Sequence, residues 1–253
     1  MKIEQRQSPN FNERKAPLDM VVLHYTGMAS GAEALARLCD PDAEVSAHYM
    51  IWEDGRITQL VSEDKRAWHA GLGSWQGATD INSCSVGVEI VNGGHNVPLS
   101  DGNLPPYPAC QIDAVISLVQ SIVAKHKIPA SRIVGHSDIA PGRKDDPGEH
   151  FPWKILAQSG LGIWPRAPQG DLVMGAGLTK RDTGPPVERL QAALAEIGYG
   201  LELNGTYDDA TVDVVTAFQR RWQPDRVTGQ AGWMTLALIS AVADETVKRT
   251  PLT

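Results

Sequence analysis

The chain has few cysteines, no long apolar run and no excess of positive charge, and each absence narrows what it can be. Among its 253 residues are three cysteines, Cys39, Cys84 and Cys110, which lie far apart and form no Cys-x-x-Cys pair. They cannot all pair within one chain, so we expect small, buried apolar residues in a reducing compartment. A catalytic thiol is weakly supported, because none of the three lies in a recognisable nucleophile motif.

The absence of long apolar runs and of excess positive charge narrows the possible partners and cellular locations of the protein. No run approaches the roughly 20 residues that span a bilayer, and residues 1–15 contain no apolar stretch of the kind found in secretory leaders. The formal net charge of −7 argues against nucleic acid or an anionic membrane surface as the main partner. We expect a cytoplasmic protein, or a periplasmic one if a leader has been removed. The sequence does not indicate an oligomeric state.

Hydrophobic residues make up 42% of the chain, enough for a packed core. Apolar runs and amphipathic spacing predict strands at residues 19–25, 48–52, 57–60, 86–91 and 133–136, and helices at 32–38 and 109–126. Strands interspersed with helices indicate an α/β domain, a mixed β-sheet flanked by helices, over residues 18–165. Residues 1–17 are interpreted as a polar N-terminal lead-in.

The stretch from Ile133 to Gly148 combines a buried strand with a charged loop rich in Pro and Gly. The strand is predicted to end at His136, and Asp146 follows ten residues later, so the two could bind one metal ion. A polar surface loop with one incidental histidine is the alternative. His24, at the end of another predicted strand, adds a second imidazole. Two imidazoles and a carboxylate leave one open tetrahedral position, as in hydrolytic zinc sites.

Hydrolysis also needs a proton acceptor and a group that stabilises an oxyanion. Glu89 is the first candidate, because a carboxylate within the apolar run 86–91 is costly to bury without a purpose. Lys144, two residues before Asp146, is the candidate for the oxyanion. The alternatives are a glutamate that faces solvent at a sheet edge and a solvated loop lysine.

Five ordered segments resemble a known family: Val-Val-Leu-His24-Tyr-Thr, Ser46-Ala-His48-Tyr, Ala67-Trp-His-Ala-Gly71, Ser85-Val-Gly-Val-Glu89-Ile, and Gly135-His-Ser-Asp-Ile-Ala-Pro-Gly-Arg-Lys-Asp-Asp-Pro-Gly148. They are similar to the zinc-dependent N-acetylmuramoyl-L-alanine amidases of the AmpD/AmiD type, which share the fold of bacteriophage T7 lysozyme. The resemblance covers about residues 18–165.

The resemblance implies one Zn²⁺ per chain on His24, His136 and Asp146, with Glu89 and Lys144 as the catalytic pair. The implied reaction is hydrolysis of the amide between N-acetylmuramic acid, or its 1,6-anhydro form, and L-alanine in peptidoglycan or muropeptides. Tyr25, Trp68, His69 and Arg143 are candidate substrate contacts, and a structural role is equally open for His69. His48 is interpreted as a hydrogen-bonded core residue.

The C-terminal part has a different composition. Residues 166–183 are interpreted as a linker, and residues 184–253 as a domain with helices at 185–198, 207–222 and 231–247. Its motifs are similar to the three-helix peptidoglycan-binding domain: Val187-x-x-Leu190-Gln191-x-x-Leu194, Gly198-Tyr199, Gly205-x-Tyr207-Asp208-x-x-Thr211, and Phe218-Gln219 with Trp222. A helical appendage that stabilises the protein without binding a ligand is the alternative.

A non-catalytic peptidoglycan-binding or sensing protein is the main alternative function. The complete set of metal and proton-transfer residues favours the enzyme, since non-catalytic relatives usually lose a ligand. A metalloprotease is a weaker option, because no His-Glu-x-x-His helix is present. The choice between muropeptides and intact murein stays open at this point, since the missing leader favours the former and the C-terminal motifs favour the latter.

Overall fold

The computed structural model describes residues 2–166 and 177–249, without the side chain of Arg249. The strands are β1 (Ile3–Gln5), β2 (Phe11–Glu13), β3 (Met20–Tyr25), β4 (Tyr49–Ile51), β5 (Ile57–Gln59), β6 (Lys65–Ala67), β7 (Ser85–Ile90) and β8 (Ile133–Gly135). The helices are α1 (Gly31–Leu38), α2 (Ile81–Cys84), α3 (Ala109–His126), α4 (His136–Ile139), α5 (Trp153–Gln158), α6 (Pro185–Ile197), α7 (Asp209–Trp222) and α8 (Trp233–Arg249).

Six strands form one mixed sheet in the order β1-β5-β4-β7-β3-β8. Only the β4–β5 hairpin is antiparallel in it; β3, β7 and β8 run parallel, with β3 between the other two. The predicted mixed sheet flanked by helices is therefore confirmed. The carboxyl ends of β3 and β8 lie side by side, which is where a parallel sheet gathers functional side chains.

Side chains alternate between the two faces of the sheet along each strand, so that one face is apolar and the other carries the candidate functional residues. Val21 and Leu23 of β3 pack with Val86 and Val88 of β7 against helix α3. The alternate residues of β3, Met20 and Val22, belong to a second core, on the opposite face. Since His24 has the same parity as Met20 and Val22, it faces away from α3.

The N-terminal residues correct the prediction of a lead-in over residues 1–17. Strand β1 pairs in parallel with β5 and extends the main sheet, while β2 pairs antiparallel with β6 as a separate ribbon. Between them, Ser8 and Asn10 are buried and donate side-chain hydrogen bonds to backbone carbonyl groups near the end of α1. Polar composition hid this role, because the segment is stabilised mainly by backbone pairing.

The C-terminal helices α6, α7 and α8 share a core with the mixed sheet. One continuous cluster joins Met20, Val22, Trp75, Ile139 and Ile163 to buried residues of these helices, including Leu190, Leu194, Val215, Phe218 and Trp222. The three predicted helices are observed, with ends shifted by one or two residues. Of the predicted linker 166–183, residues 167–176 lie outside the described part of the chain, and the bounds of the domains stay predictions.

The three cysteines are unpaired, and the expectation that all three are buried was wrong. Cys84 is buried, Cys39 is partly exposed and Cys110 is exposed on α3. The sulfur of Cys110 lies 3.3 Å from the carbonyl oxygen of Glu53. Among the described helices, none combines the length and hydropathy needed to cross a membrane.

His48 is a hydrogen-bonded core residue, as predicted. Its Nδ1 accepts a hydrogen bond of 2.9 Å from the backbone N–H of Gly87, and its Nε2 lies 3.0 Å from the carbonyl oxygen of Lys65. Burial, followed by the nearby charge of Arg14, lowers the pKa of His48 to about 3. The folded protein therefore holds this ring neutral over most of the acid range.

Replacing His48 with Gln should make stability less sensitive to acid. Because the unfolded chain protonates His48 below about pH 6.5 and the folded protein does not, stability falls as the pH drops from about 6.5 towards 3. In the wild-type protein, His48 contributes up to about 1.4 kcal/mol per pH unit to this decrease in the free energy of unfolding, and the variant should lack that contribution. Urea unfolding of the two metal-free proteins at several pH values measures it, and equal slopes would contradict the assignment.

Candidate metal centre

Three buried side chains converge at the carboxyl ends of β3 and β8. His24 lies within β3, His136 follows β8 directly, and Asp146 is on the loop after α4. The Nδ1 atoms of the two histidines are 2.9 Å apart, and each lies 3.0 Å from Oδ2 of Asp146. The structure thus brings together the three residues that we predicted as metal ligands.

The local structure at His136 differs from the prediction. Strand β8 ends at Gly135, and His136 is the first residue of helix α4 instead of the last residue of a strand. The cause is Asp138, whose Oδ2 accepts a 2.8 Å hydrogen bond from the backbone N–H of Gly135 and so stabilises the first turn of the helix.

Hydrogen bonding determines which nitrogen of His136 faces the centre. Its Nε2 lies 2.9 Å from the carbonyl oxygen of Ala70. A carbonyl oxygen can only accept, so Nε2 carries the proton. In the neutral ring, Nδ1 therefore presents a lone pair towards His24 and Asp146.

Two further residues, Ser85 and His69, determine which nitrogen of His24 carries the proton. The hydroxyl of Ser85 donates to the carbonyl oxygen of Ile81 over 2.6 Å, so Ser85 Oγ can only accept from Nε2 of His69, 3.1 Å away. Nδ1 of His69 must then accept from Nε2 of His24 over 3.0 Å. This chain, which we call the His69–Ser85 relay, leaves Nδ1 of His24 with its lone pair towards the centre.

Burial keeps the rings of His24 and His69 neutral. It lowers the pKa of His24 to about 4, with the neighbouring His136 as the next largest cause. It lowers the pKa of His69 well below the ordinary value, with His24 contributing next. The hydrogen bonds of both Nε2 atoms thus turn the Nδ1 atoms of His24 and His136 towards the carboxylate oxygen of Asp146, and the three atoms lie 2.9–3.0 Å from one another. Such an arrangement is repulsive unless a cation lies between the atoms, so the donor set fits a metal ion.

Glu89 lies beside this centre, directly opposite His24 in the pairing of β3 with β7. Strand β7 is interior to the sheet, so the alternative of a glutamate at a sheet edge is wrong. Its Oε2 is buried and has no hydrogen-bond partner among the residues that the structure describes. Burial, and then the charge of Asp146, raises the pKa of Glu89 well above its ordinary value. A carboxylate with a raised pKa and no fixed partner is suited to accept and return a proton.

A cavity of about 340 Å³ opens onto these residues. Its lining includes all three predicted ligands, Glu89, Lys144, Tyr25, His69 and Arg143. The ammonium group of Lys144 makes no hydrogen bond within the described part of the chain, and it lowers the pKa of Glu89 by its charge. A cation and an acid of raised pKa therefore share one cavity with the metal centre.

All four candidate substrate contacts have polar groups that bind other residues of the protein, and three of the four, Tyr25, His69 and Arg143, line the cavity. The indole N–H of Trp68 lies 3.3 Å from Oδ1 of Asn12, and Trp68 is not among the cavity residues. Both ring nitrogens of His69 belong to the relay behind His24, which supports the structural role that we left open for it. Tyr25 lies in the cavity, with its hydroxyl 3.1 Å from Nδ1 of His95. Arg143 also lines it, and donates to the carbonyl groups of Ala70 and Leu72.

Comparison with known sequences assigns the family. The model of the N-acetylmuramoyl-L-alanine amidase family matches residues 14–149, more than half of the chain. The chain belongs to this family. The matched region contains every residue of the metal centre. A second family, named for peptidoglycan binding, matches residues 183–239.

Two curated amidases illustrate the relationship. N-acetylmuramoyl-L-alanine amidase AmiD of Escherichia coli K12 is 36% identical over 237 residues, which cover 90% of this chain and 83% of AmiD. The 1,6-anhydro-N-acetylmuramyl-L-alanine amidase AmpD of Haemophilus influenzae is 34% identical over 175 residues, which cover 61% of this chain and 90% of AmpD. The similarity to AmiD thus extends into the C-terminal helices.

Solved amidase structures have the same fold. The complex of E. coli AmiD with anhydro-N-acetylmuramic acid-L-Ala-D-γ-Glu-L-Lys superposes with a TM-score of 0.79 at 36% identity, over 95% of this chain and 93% of that one. AmpDh3 of Pseudomonas aeruginosa in complex with anhydromuramic pentapeptide gives 0.75 at 32% identity, over 95% of each chain. These matches confirm the predicted amidase fold.

The sequence did not reveal the His69–Ser85 relay. Ser85 is an ordinary residue at the start of a strand, and its role requires His69 to pack against β7. Gly87 makes that packing possible, because a Cβ atom at this position would collide with the ring of His69. A glycine inside an apolar strand was the available indication that another group approaches the backbone there.

Removing the relay hydroxyl should weaken metal binding. In Ser85→Ala, Nε2–H of His69 loses its acceptor, so the tautomer of His24 that presents Nδ1 is no longer enforced. We expect the affinity for Zn²⁺ to fall about tenfold, measured by chelator competition. Ser83→Ala is the matched control, because Ser83 is an equally buried serine whose hydroxyl donates to Asp80 instead. Equal losses in both variants would contradict the relay.

Proposed function

We propose that this protein is a zinc-dependent N-acetylmuramoyl-L-alanine amidase that cleaves the amide between N-acetylmuramic acid, in its 1,6-anhydro form, and L-alanine. Membership of the amidase family gives the reaction class. The observation that supports catalysis by this chain is the convergence of three lone-pair donors beside an unpartnered buried carboxylate oxygen. A protein that only bound the substrate would not need either feature.

His24, His136 and Asp146 would hold the zinc ion through Nδ1, Nδ1 and Oδ2. Two nitrogens and one carboxylate oxygen are a ligand set that catalytic zinc sites use, with a further position open to water or substrate. When bound, zinc would lower the pKa of a coordinated water towards 7 and polarise a carbonyl oxygen. Because both imidazoles must be neutral to coordinate, zinc affinity is expected to decrease at acid pH.

Glu89 would transfer the proton, and Lys144 would stabilise the negative charge that develops on the carbonyl oxygen. Glu89 takes the proton of the attacking water at Oε2 and returns it to the amine of L-alanine as the C–N bond breaks. Lys144 places its ammonium group beside the carbonyl oxygen, where negative charge accumulates in the tetrahedral intermediate. Both side chains line the cavity from which the substrate would enter.

The nature of the cavity suits an acidic muropeptide. Arg37 and Arg143 line it in addition to Lys144, so it offers cations to the carboxylates of a stem peptide. Two relatives, at 36% and 32% identity, have structures with anhydromuramic peptides bound. Anhydro-muropeptides are therefore our preferred substrates over intact murein. Of the candidate substrate contacts that line the cavity, Tyr25 and Arg143 remain our proposal, because both ring nitrogens of His69 belong to the His69–Ser85 relay.

The same proposal includes a peptidoglycan-binding role for the helices within residues 184–253 and a catalytic domain that ends near residue 165 and includes strands β1 and β2. A family match over residues 183–239 supports it. A cytoplasmic location stays a prediction, which fractionation of cells expressing the native gene tests.

Product analysis tests the proposed reaction. Purified protein is incubated with anhydro-N-acetylmuramoyl peptides and, separately, with intact sacculi, with and without a zinc chelator. Mass spectrometry should detect free stem peptide, mainly from the anhydro substrate, and the chelator should abolish its release. Binding to sacculi without cleavage of either substrate would favour the non-catalytic alternative.

Replacing Glu89 with Gln should separate metal binding from catalysis. Gln preserves the shape of the side chain but cannot accept the proton, so kcat should fall by about 10²–10⁴-fold. Zinc content, measured by atomic absorption, should stay at one per chain. His24→Ala is the contrasting variant and should lose zinc. Loss of zinc from Glu89→Gln would mean that Glu89 is structural.

A further inference from the structure

The C-terminal helices contact the catalytic domain next to a proposed metal ligand. Arg221, in α7, is buried and donates from Nη1 to Oδ2 of Asp138 over 2.7 Å. Its Nη2 donates to the carbonyl oxygen of Ile133 over 3.0 Å. Asp138 belongs to α4, two residues after His136, and Ile133 is the first residue of β8. One guanidinium group therefore spans the backbone on both sides of His136.

A second residue of the C-terminal part completes this contact. The hydroxyl of Tyr199, which follows α6, donates to Oδ1 of Asp138 over 2.9 Å. Tyr199 is buried, with its ring edge-to-face against Trp75 at a centroid distance of 5.0 Å. Oδ2 of Asp138 also accepts the backbone N–H of Gly135 over 2.8 Å. Both oxygens of this buried carboxylate are thus fixed, one by Tyr199 and one by Arg221 and Gly135.

Arg221 is itself held in one orientation. Its guanidinium carbon lies 4.1 Å from the ring centroid of Trp153 and 4.5 Å from that of Trp222. Trp153 belongs to the catalytic domain and Trp222 to α7. Stacking between two rings leaves a planar guanidinium little freedom to follow Asp138 if that residue moved.

The same helix also reaches the loop that bears Asp146. Arg220 forms an ion pair of 2.8 Å with Asp145. Asp213 packs so closely on Gly142 that a Cβ atom there would collide with its carboxylate. Within the catalytic domain, the backbone N–H of Ser137 donates to the carbonyl oxygen of Asp146 over 2.9 Å. The segment between the two ligands is therefore supported from one side by α7.

We propose that Arg221 and Tyr199 are positioning residues of the metal centre, which act through Asp138 on the backbone that carries His136. The C-terminal helices are then part of the catalytic unit in addition to any role in binding glycan. The proposal rests on the metal centre proposed above. Removing either partner leaves the Asp138 carboxylate buried with fewer donors, so the turn Gly135–Asp138 loses the contacts that fix it.

The test compares two tyrosines in the full-length protein. Tyr199→Phe removes only the hydroxyl that binds Asp138, whereas Tyr207→Phe removes an equally buried hydroxyl that donates to the carbonyl oxygen of Gly229 over 2.8 Å. Each variant should lose some thermal stability. Only Tyr199→Phe should weaken Zn²⁺ binding in chelator competition, by about tenfold, and shift the visible spectrum of the Co²⁺-substituted protein.

Two arginine variants extend the comparison. Arg221→Met should weaken Zn²⁺ binding more than Tyr199→Phe does, and Arg221→Lys should restore part of the loss, because an ammonium group can still pair with Asp138. If Arg221→Met does not fold, the tyrosine pair still decides the matter. An affinity and a cobalt spectrum for Tyr199→Phe that match those of Tyr207→Phe would overturn the proposal. Failure of the wild-type protein to bind Zn²⁺ would instead overturn the proposed metal centre.

Discussion

The close approach of three lone-pair donors is the interaction on which the rest of the structure depends. Nδ1 of His24, Nδ1 of His136 and Oδ2 of Asp146 lie 2.9–3.0 Å from one another, a separation that repels unless a cation is present. The protein has to hold these atoms against that repulsion when it folds without metal. Adjacent parallel strands place the two histidines, and hydrogen bonds from Nε2 of each ring to fixed acceptors prevent either from rotating away.

The sheet holds these residues rigidly because its two faces have separate roles. One face packs against α3 through residues such as Val21 and Val88, and the other bears His24 and Glu89 as direct neighbours across β3 and β7. Without the apolar face, the burial that keeps His24 neutral and raises the pKa of Glu89 would be absent. Packing on one side of the sheet therefore sets the proton chemistry on the other.

The features of the fold and the site that depend on local sequence patterns could be predicted from the sequence. Apolar strand runs located His24, Glu89 and the region of His136, and the spacing of α3 was predicted to its end residues. Strands β1 and β2 were missed, because three-residue strands are defined by pairing partners that lie about 50 residues away. Arg221 gave no indication either, since its burial depends on Asp138, 83 residues earlier in the chain. Contacts between distant segments are what a single sequence conceals.

Anomalous diffraction at the zinc absorption edge, from crystals of the zinc-loaded protein, would show directly whether His24, His136 and Asp146 bind zinc. We expect one strong peak per chain, bonded to Nδ1 of His24, Nδ1 of His136 and a carboxylate oxygen of Asp146. Glu89 and Lys144 should line the open side without coordinating the ion. A peak bonded through Nε2 of either histidine, a peak that omits Asp146, or no ordered zinc between these three side chains would contradict this expectation.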